Sequence, residues 1–157
     1  MLLYGVRTFL LKQSDEVHYY FDKSKKYYFS TMKKVIYTKN APEAIGPYSQ
    51  AILSNNTLYT SGQIAINPIS GDLIMDSITN ETNQVMKNLQ AILKASDMNF
   101  SHVVKCTIFL KDMNHYQDIN TVYAEYFDEN PPAREAVQVT ALPKNVNVEI
   151  SLIAHKL

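Results

Sequence analysis

The sequence predicts an α+β domain, a mixed β-sheet with two helices on one face. Three observations predict it. Apolar residues recur at helical spacing in two segments, 78–93 and 116–127. In the segments near 33–37, 48–54, 57–61, 104–110, 135–140 and 146–155 they alternate with polar residues or cluster as β-branched and aromatic runs, as strands do. The resulting order is strands, helix, strand, helix, strands, which suits helices layered on a sheet. The chain has 157 residues, enough for one compact domain with a core that needs neither metal nor disulfide.

The elements can be justified in order. A first short strand covers 33–37. Segments 48–54 and 57–61 flank Asn55-Asn56, a hairpin signal. Asn67-Pro68 and Ser70-Gly71-Asp72 mark a loop. Ile78, Thr82, Val85, Met86, Leu89, Ile92 and Leu93 form the stripe of the first helix, with Ser77 or Thr79 as its cap. Val104, Cys106, Ile108 and Leu110 alternate with Lys105, Thr107, Phe109 and Lys111, giving a strand with one apolar face. Asn114 and Gln117 stand at capping-box spacing before the second helix, whose stripe is Tyr116, Ile119, Val122, Tyr123, Tyr126 and Phe127. Two closing strands follow, near 135–140 and 146–155. Joined through Ala141-Leu142-Pro143-Lys144, they read as a β-hairpin.

Composition narrows the function classes. Lys+Arg and Asp+Glu number 15 each, which argues against a broad nucleic-acid-binding surface. The single cysteine, Cys106, supports neither a disulfide framework nor a cysteine metal site, and points to a reducing compartment, the cytoplasm first. No apolar run is long enough to span a bilayer, so no membrane partner is expected. Residues 1–31 differ from the rest. They carry Tyr19-Tyr20-Phe21 and Lys25-Lys26-Tyr27-Tyr28-Phe29 without a clean period, and basic residues outnumber acidic ones. This N-terminal extension has two readings: a weak targeting signal for the mitochondrion or another organelle, or a flexible arm ahead of Met32. The domain proper is then 32–157.

Strand parity singles out two charged residues. Val146, Val148, Ile150, Leu152 and Ala154 share one face of the last strand, and Glu149 lies on the other. In the preceding strand Arg134, Ala136 and Gln138 oppose Val137 and Val139, and Glu135 takes the core-side parity, odd for a carboxylate. A hairpin would set Arg134 beside Glu149 on the face that the core leaves free. One reading is an exposed cross-strand ion pair worth under about 1 kcal/mol. The other is a polar pocket that holds an anionic substrate and positions a water. That free face mixes Ala136 and Ile153 with polar groups, which hints at burial against another subunit. Cys106 points with the core and reads as a small buried apolar residue. His18, His102, His115 and His155 stand at no metal-ligand spacing, and no glycine-rich phosphate loop is present.

The motifs Ala41-Pro42-Glu43-Ala44-Ile45-Gly46-Pro47-Tyr48-Ser49-Gln50, Tyr59-Thr60-Ser61-Gly62-Gln63, Asn88-Leu89-Gln90-Ala91-Ile92-Leu93, Phe109-Leu110-Lys111-Asp112, Pro132-Ala133-Arg134, Leu142-Pro143-Lys144 and Val148-Glu149-Ile150 occur in order. Together they closely resemble the RidA/YjgF reactive-intermediate deaminases, from about Lys33 to the C-terminus. The resemblance implies a chorismate-mutase-like subunit and a homotrimer whose sheets form a central barrel, with active sites in clefts between subunits. It implies a 2-iminobutanoate/2-iminopropanoate deaminase that uses no metal and no cofactor. Such an enzyme hydrolyses enamines and imines, such as 2-aminoacrylate, released by pyridoxal-phosphate enzymes, and yields 2-keto acids and ammonia. It also implies site positions. Arg134 holds the substrate carboxylate, a task suited to a planar and permanently charged fork. Glu149 handles the water, provided that burial raises its pKa. Tyr48 is the pocket tyrosine, Gly62 and Ala136 offer main-chain groups to the ligand, and Asn120 supports from the second helix. Many relatives have cysteine where this chain has Ala136, which excludes a thiol mechanism there. An endoribonuclease or translation inhibitor, an activity ascribed to some members, and a non-catalytic carboxylate-binding or chaperone-like trimer are the competing readings. Zero net charge weakens the first of these.

Overall fold

The computed structural model describes residues 12–13, 16–17, 33–127 and 129–156. By contacts the chain divides into a unit of residues 1–34 and a unit of residues 35–157. In the first, β1 (Lys12–Gln13) pairs antiparallel with β2 (Glu16–Val17). The aromatic-basic tracts at 19–21 and 25–29, and with them the targeting reading of the extension, lie outside the described residues.

The larger unit is the mixed α+β layer expected. It holds β3 (Lys34–Ile36) from its second residue on, β4 (Ala51–Ser54), β5 (Thr57–Thr60), α1 (Ile78–Ala95), β6 (Val103–Leu110), α2 (Tyr116–Ala124), β7 (Ala133–Gln138) and β8 (Val148–His155). The six-stranded sheet runs β3-β4-β5-β8-β6-β7. The hairpin at Asn55-Asn56 forms as expected, with Asn55 in the left-handed region (φ 52°) that asparagine tolerates. Of the two cap candidates for α1, Ser77 is the one used: its Oγ accepts from the Asn80 N–H at 3.1 Å. The buried face of α1 (Val85, Met86, Leu89, Ile92, Leu93) packs on the apolar sides of β6 and β8.

Several expectations are corrected. Asn114 does not cap the second helix. Asp112 caps a short 3₁₀ turn, Met113–His115, that runs into α2, and accepts from the Asn114 N–H at 2.9 Å. The helix stops at Ala124, so Tyr126 and Phe127 follow it. On β6 the core-facing residue is Val103, not Val104, which is 50 % exposed. A register shift between Val103 and Lys105 changes the alternation there.

The closing strands form no hairpin. β7 pairs in parallel with β6, from Lys105↔Ala133 to Leu110↔Gln138, and β8 pairs antiparallel with both β5 and β6. The physical reason is apolar content. β8 buries Val148, Ile150, Leu152 and Ala154 and so takes a central slot, whereas β7 (Ala-Arg-Glu-Ala-Val-Gln) has no such face and takes the edge. With α2 lying between them in sequence, β6 and β7 make a β-α-β crossover, which makes them parallel.

This pairing reverses the predicted parity of β7. Arg134 and Ala136 stand opposite Cys106 and Ile108, both core-facing, so they point to the helix side. Glu135 and Val137 point to the open face. There Glu135 meets Lys105 Nζ at 3.0 Å and accepts from Thr107 Oγ1 at 2.9 Å, contacts that hold its carboxyl below the usual range. Glu149 lies opposite Phe109, also on the open face. Within one chain Arg134 and Glu149 therefore lie on opposite faces of the sheet with β6 between them.

Candidate active site

The predicted site residues form two separate groups. The first is built where β5 ends. The chain leaves the ladder at Ser61 and returns at Gln63, whose N–H donates to the Ile150 carbonyl at 2.8 Å and whose carbonyl accepts from the Ile150 N–H at 3.1 Å. Gly62 is thereby pressed against the neighbour of Ile150. A Cβ at position 62 would lie 1.8 Å from Glu149 Oε1, so glycine makes room for the Glu149 carboxyl where it lies rather than serving a backbone angle. Burial pushes the Glu149 carboxyl above the usual range. Among the described residues no hydrogen bond or ion pair offsets that desolvation.

Tyr48 faces the same cleft, which has a volume of about 350 Å³. Its N–H donates to the Gly46 carbonyl at 2.8 Å, and its hydroxyl accepts from the Ile45 N–H at 3.3 Å, so the ring closes a tight turn. The cleft walls are Pro42, Ile45, Ile64, Ile66 and Pro143, with Glu43, Gln50, Ser61 and Gln63 as polar groups.

Buried polar side chains hold those walls. Gln50 donates to the carbonyls of Thr38, Ala41 and Pro42 at 3.0, 3.1 and 2.7 Å and accepts from the Thr38 N–H at 2.7 Å. Asn88, on α1, donates to the carbonyls of Ile64 and Ile66, each at 3.0 Å. Glu81, fully buried on the same helix, accepts from the Asn147 N–H at 2.7 Å and from Asn147 Nδ2 at 2.8 Å, which fixes the entry into β8 just ahead of Glu149. The sequence carried a signal for two of these. Glu81, Val85, Asn88 and Ile92 continue one helical stripe, and a polar residue inside an apolar stripe needs a buried partner.

The second group lies on the helix side. Arg134 donates from Nη1 to Asn120 Oδ1 at 2.6 Å and from Nη2 to the Tyr116 hydroxyl at 2.8 Å. Its guanidinium carbon sits 4.9 Å from the centre of the Tyr123 ring. The depression beside it, about 440 Å³, is lined by Asn120, Tyr123, Phe127, Pro131, Pro132 and Arg134. Ala136 packs against the main core two residues further along β7. Cys106, opposite Arg134 across the ladder, is buried as expected, and burial pushes its thiol up. Tyr116 and Tyr123 are functional candidates that sequence reasoning passed over as core stripe. The fold thus unites Tyr48 with Gly62 and Glu149, and Arg134 with Asn120, and keeps the two groups apart.

A carboxyl raised by burial, in a half-apolar cleft with a tyrosine, suits proton transfer to and from water. A guanidinium with free donors suits a carboxylate. The family described as Endoribonuclease L-PSP matches residues 38–156. A RutC family protein of Pyrococcus horikoshii is 51 % identical over 125 residues, covering 80 % of this chain and 99 % of that protein. The human 2-iminobutanoate/2-iminopropanoate deaminase is 47 % identical over 125 residues, covering 80 % of this chain and 91 % of that one. The crystal structure of Escherichia coli TdcF with bound serine superposes with a TM-score of 0.76 at 37 % identity, covering 79 % of this chain and 99 % of that one.

Proposed function

The chain belongs to the Endoribonuclease L-PSP family, the RidA/YjgF group, and from that premise we propose that it hydrolyses reactive enamines and imines of the 2-aminoacrylate/2-iminopropanoate type to 2-keto acids and ammonia. The observation that carries this reading is the Glu149 carboxyl, unpaired among the described residues and desolvated against Gly62 in the Tyr48 cleft. Its relatives named 2-iminobutanoate/2-iminopropanoate deaminase support the same chemistry.

The substrate carries a carboxylate, which Arg134 binds bidentately and so orients the imine carbon. A protonated imine is a strong electrophile without further polarisation. Glu149, as carboxylate, takes a proton from the attacking water while the new C–O bond forms. The carbinolamine receives that proton at nitrogen, the C–N bond breaks and ammonia leaves, while the hydroxyl proton passes to the Glu149 carboxylate as the carbonyl forms and from there to the departing ammonia. Tyr48 hydrogen-bonds the water or the substrate, and main-chain groups of Gly62 and Ala136 meet the ligand.

Since Arg134 and Glu149 face opposite sides of one sheet, the complete site takes Arg134 and Asn120 from one copy and Tyr48, Gly62 and Glu149 from the next. A homotrimer of chorismate-mutase-like subunits does this. The open face, with Tyr59 at 48 % and Val137 at 46 % exposure, is the surface that such a trimer would cover. Pyridoxal-phosphate enzymes that release 2-aminoacrylate supply the substrate, and a single buried thiol fits the cytoplasm.

The test generates 2-aminoacrylate in situ with a pyridoxal-phosphate lyase and follows its loss. Wild type accelerates the loss. Arg134→Ala lowers kcat/KM by at least about a hundredfold while the assembly stays folded. Activity equal to wild type removes the carboxylate clamp. The family's own description favours a second reading, endoribonuclease. RNA cleavage that follows the purified protein and disappears with Glu149→Gln would support it instead.

A further inference from the structure

We infer that Tyr116 is a positioning residue for Arg134, its hydroxyl fixing the guanidinium in the orientation that receives a substrate carboxylate. The inference rests on the deaminase reading for its substrate, and on geometry for its mechanism. Arg134 lies on an edge strand, where a long, flexible side chain has many rotamers to lose on binding. Three side chains of one helix remove that freedom in advance. Asn120 Oδ1 holds Nη1 at 2.6 Å and the Tyr116 hydroxyl holds Nη2 at 2.8 Å. The Tyr123 ring lies 4.9 Å below the guanidinium carbon. Positions 116, 120 and 123 follow the i, i+4, i+7 spacing of one α2 face, so a single rigid element supplies the whole cradle.

The three contacts divide the work. Two acceptors on the two terminal nitrogens fix rotation within the guanidinium plane, and the ring fixes the tilt of that plane. Tyr123 is itself held, 4.6 Å from Phe127, which packs edge-on against Phe100 at 5.3 Å. Of the five guanidinium N–H groups, two serve Asn120 and Tyr116. The remaining three suffice for a bidentate carboxylate. Without the Tyr116 hydroxyl, one acceptor and two rings remain, since phenylalanine keeps the ring that lies 5.6 Å from the guanidinium carbon. The fork still carries its charge and loses its set orientation.

The carboxylate is present in substrate, transition state and product alike, so the orientation acts on binding at every stage. Tyr116→Phe should therefore raise KM and the dissociation constant for pyruvate by about tenfold, with kcat within about threefold of wild type. The experiment measures both quantities, imine hydrolysis kinetics and pyruvate binding by calorimetry, in wild type, Tyr116→Phe, Arg134→Lys and the double variant. Lysine presents a point charge that no planar cradle orients. If Tyr116 acts through Arg134, adding Tyr116→Phe to Arg134→Lys changes KM and pyruvate affinity by less than about twofold. Unchanged KM and affinity in Tyr116→Phe overturn the inference. So does an equal tenfold loss in both backgrounds, which would mark a packing role. A wild type that binds pyruvate and hydrolyses no imine overturns the deaminase reading alone, and the pyruvate arm still decides Tyr116.

Discussion

Glu149 and Gly62 act as a pair. The glycine lets the carboxyl lie where a Cβ would stand, and burial then raises its pKa. The atoms that a new Cβ meets belong to the free end of the glutamate, which can swing aside. Gly62→Ala is therefore expected to lose about a hundredfold in kcat and to move the melting temperature by only a few degrees, measured by steady-state kinetics and calorimetry. The pKa shift also links stability to pH. A carboxyl whose folded pKa lies above its unfolded value binds its proton more tightly when folded. Its effect is absent below the unfolded value, near pH 4, and the protein loses stability as pH rises through the folded value. Glu149→Gln removes that loss. It should melt higher than wild type at pH 7, and the gap should close as the pH falls to about 4; a gap constant with pH would contradict the assignment. At this scale the family resemblance named Tyr48, Gly62 and Glu149 among the site residues, and these three line one cleft. Strand parity misread the environment of Arg134, because side-chain direction on β7 depends on which strand is its neighbour.

α1 and β8 are the elements that shape the cleft. α1 sends Asn88 to the carbonyls of Ile64 and Ile66 and Glu81 to the start of β8, so the helix holds both the wall and the strand that carries Glu149. Replacing Glu81 with alanine leaves a cavity and strips the Asn147 N–H of its buried acceptor. It should reduce unfolding free energy by about 3 kcal/mol in urea titrations and lower kcat/KM through displacement of Glu149; a loss under about 1 kcal/mol would contradict this account. The helices were legible because their stripes reflect a local repeat. Strand existence was legible too. Strand neighbours were not, since the short connection 139–147 looks the same whether it closes a hairpin or crosses to a central slot.

The separation of the two half-sites makes a prediction about the assembly. In the proposed trimer, Arg134→Ala and Glu149→Gln should each inactivate every site when all three copies are identical. Mixed trimers contain one junction where an intact Arg134 meets an intact Glu149. Equal mixing with free subunit exchange yields about one quarter of wild-type activity, from three quarters of trimers mixed and one site in three intact. An inactive mixture, after exchange is verified by mass spectrometry, would mean that the site is not shared. The sequence by itself determined the two helical segments, the apolar face of the last strand, the buried Cys106 and the ordered motifs of the family, because each follows from local periodicity or from residue identity. Only the tertiary structure decided that β7 runs parallel to β6 at the sheet edge and that Arg134 points to α2 rather than to Glu149. Those facts depend on which strand wins the central slot, a competition in buried apolar area that no single segment records.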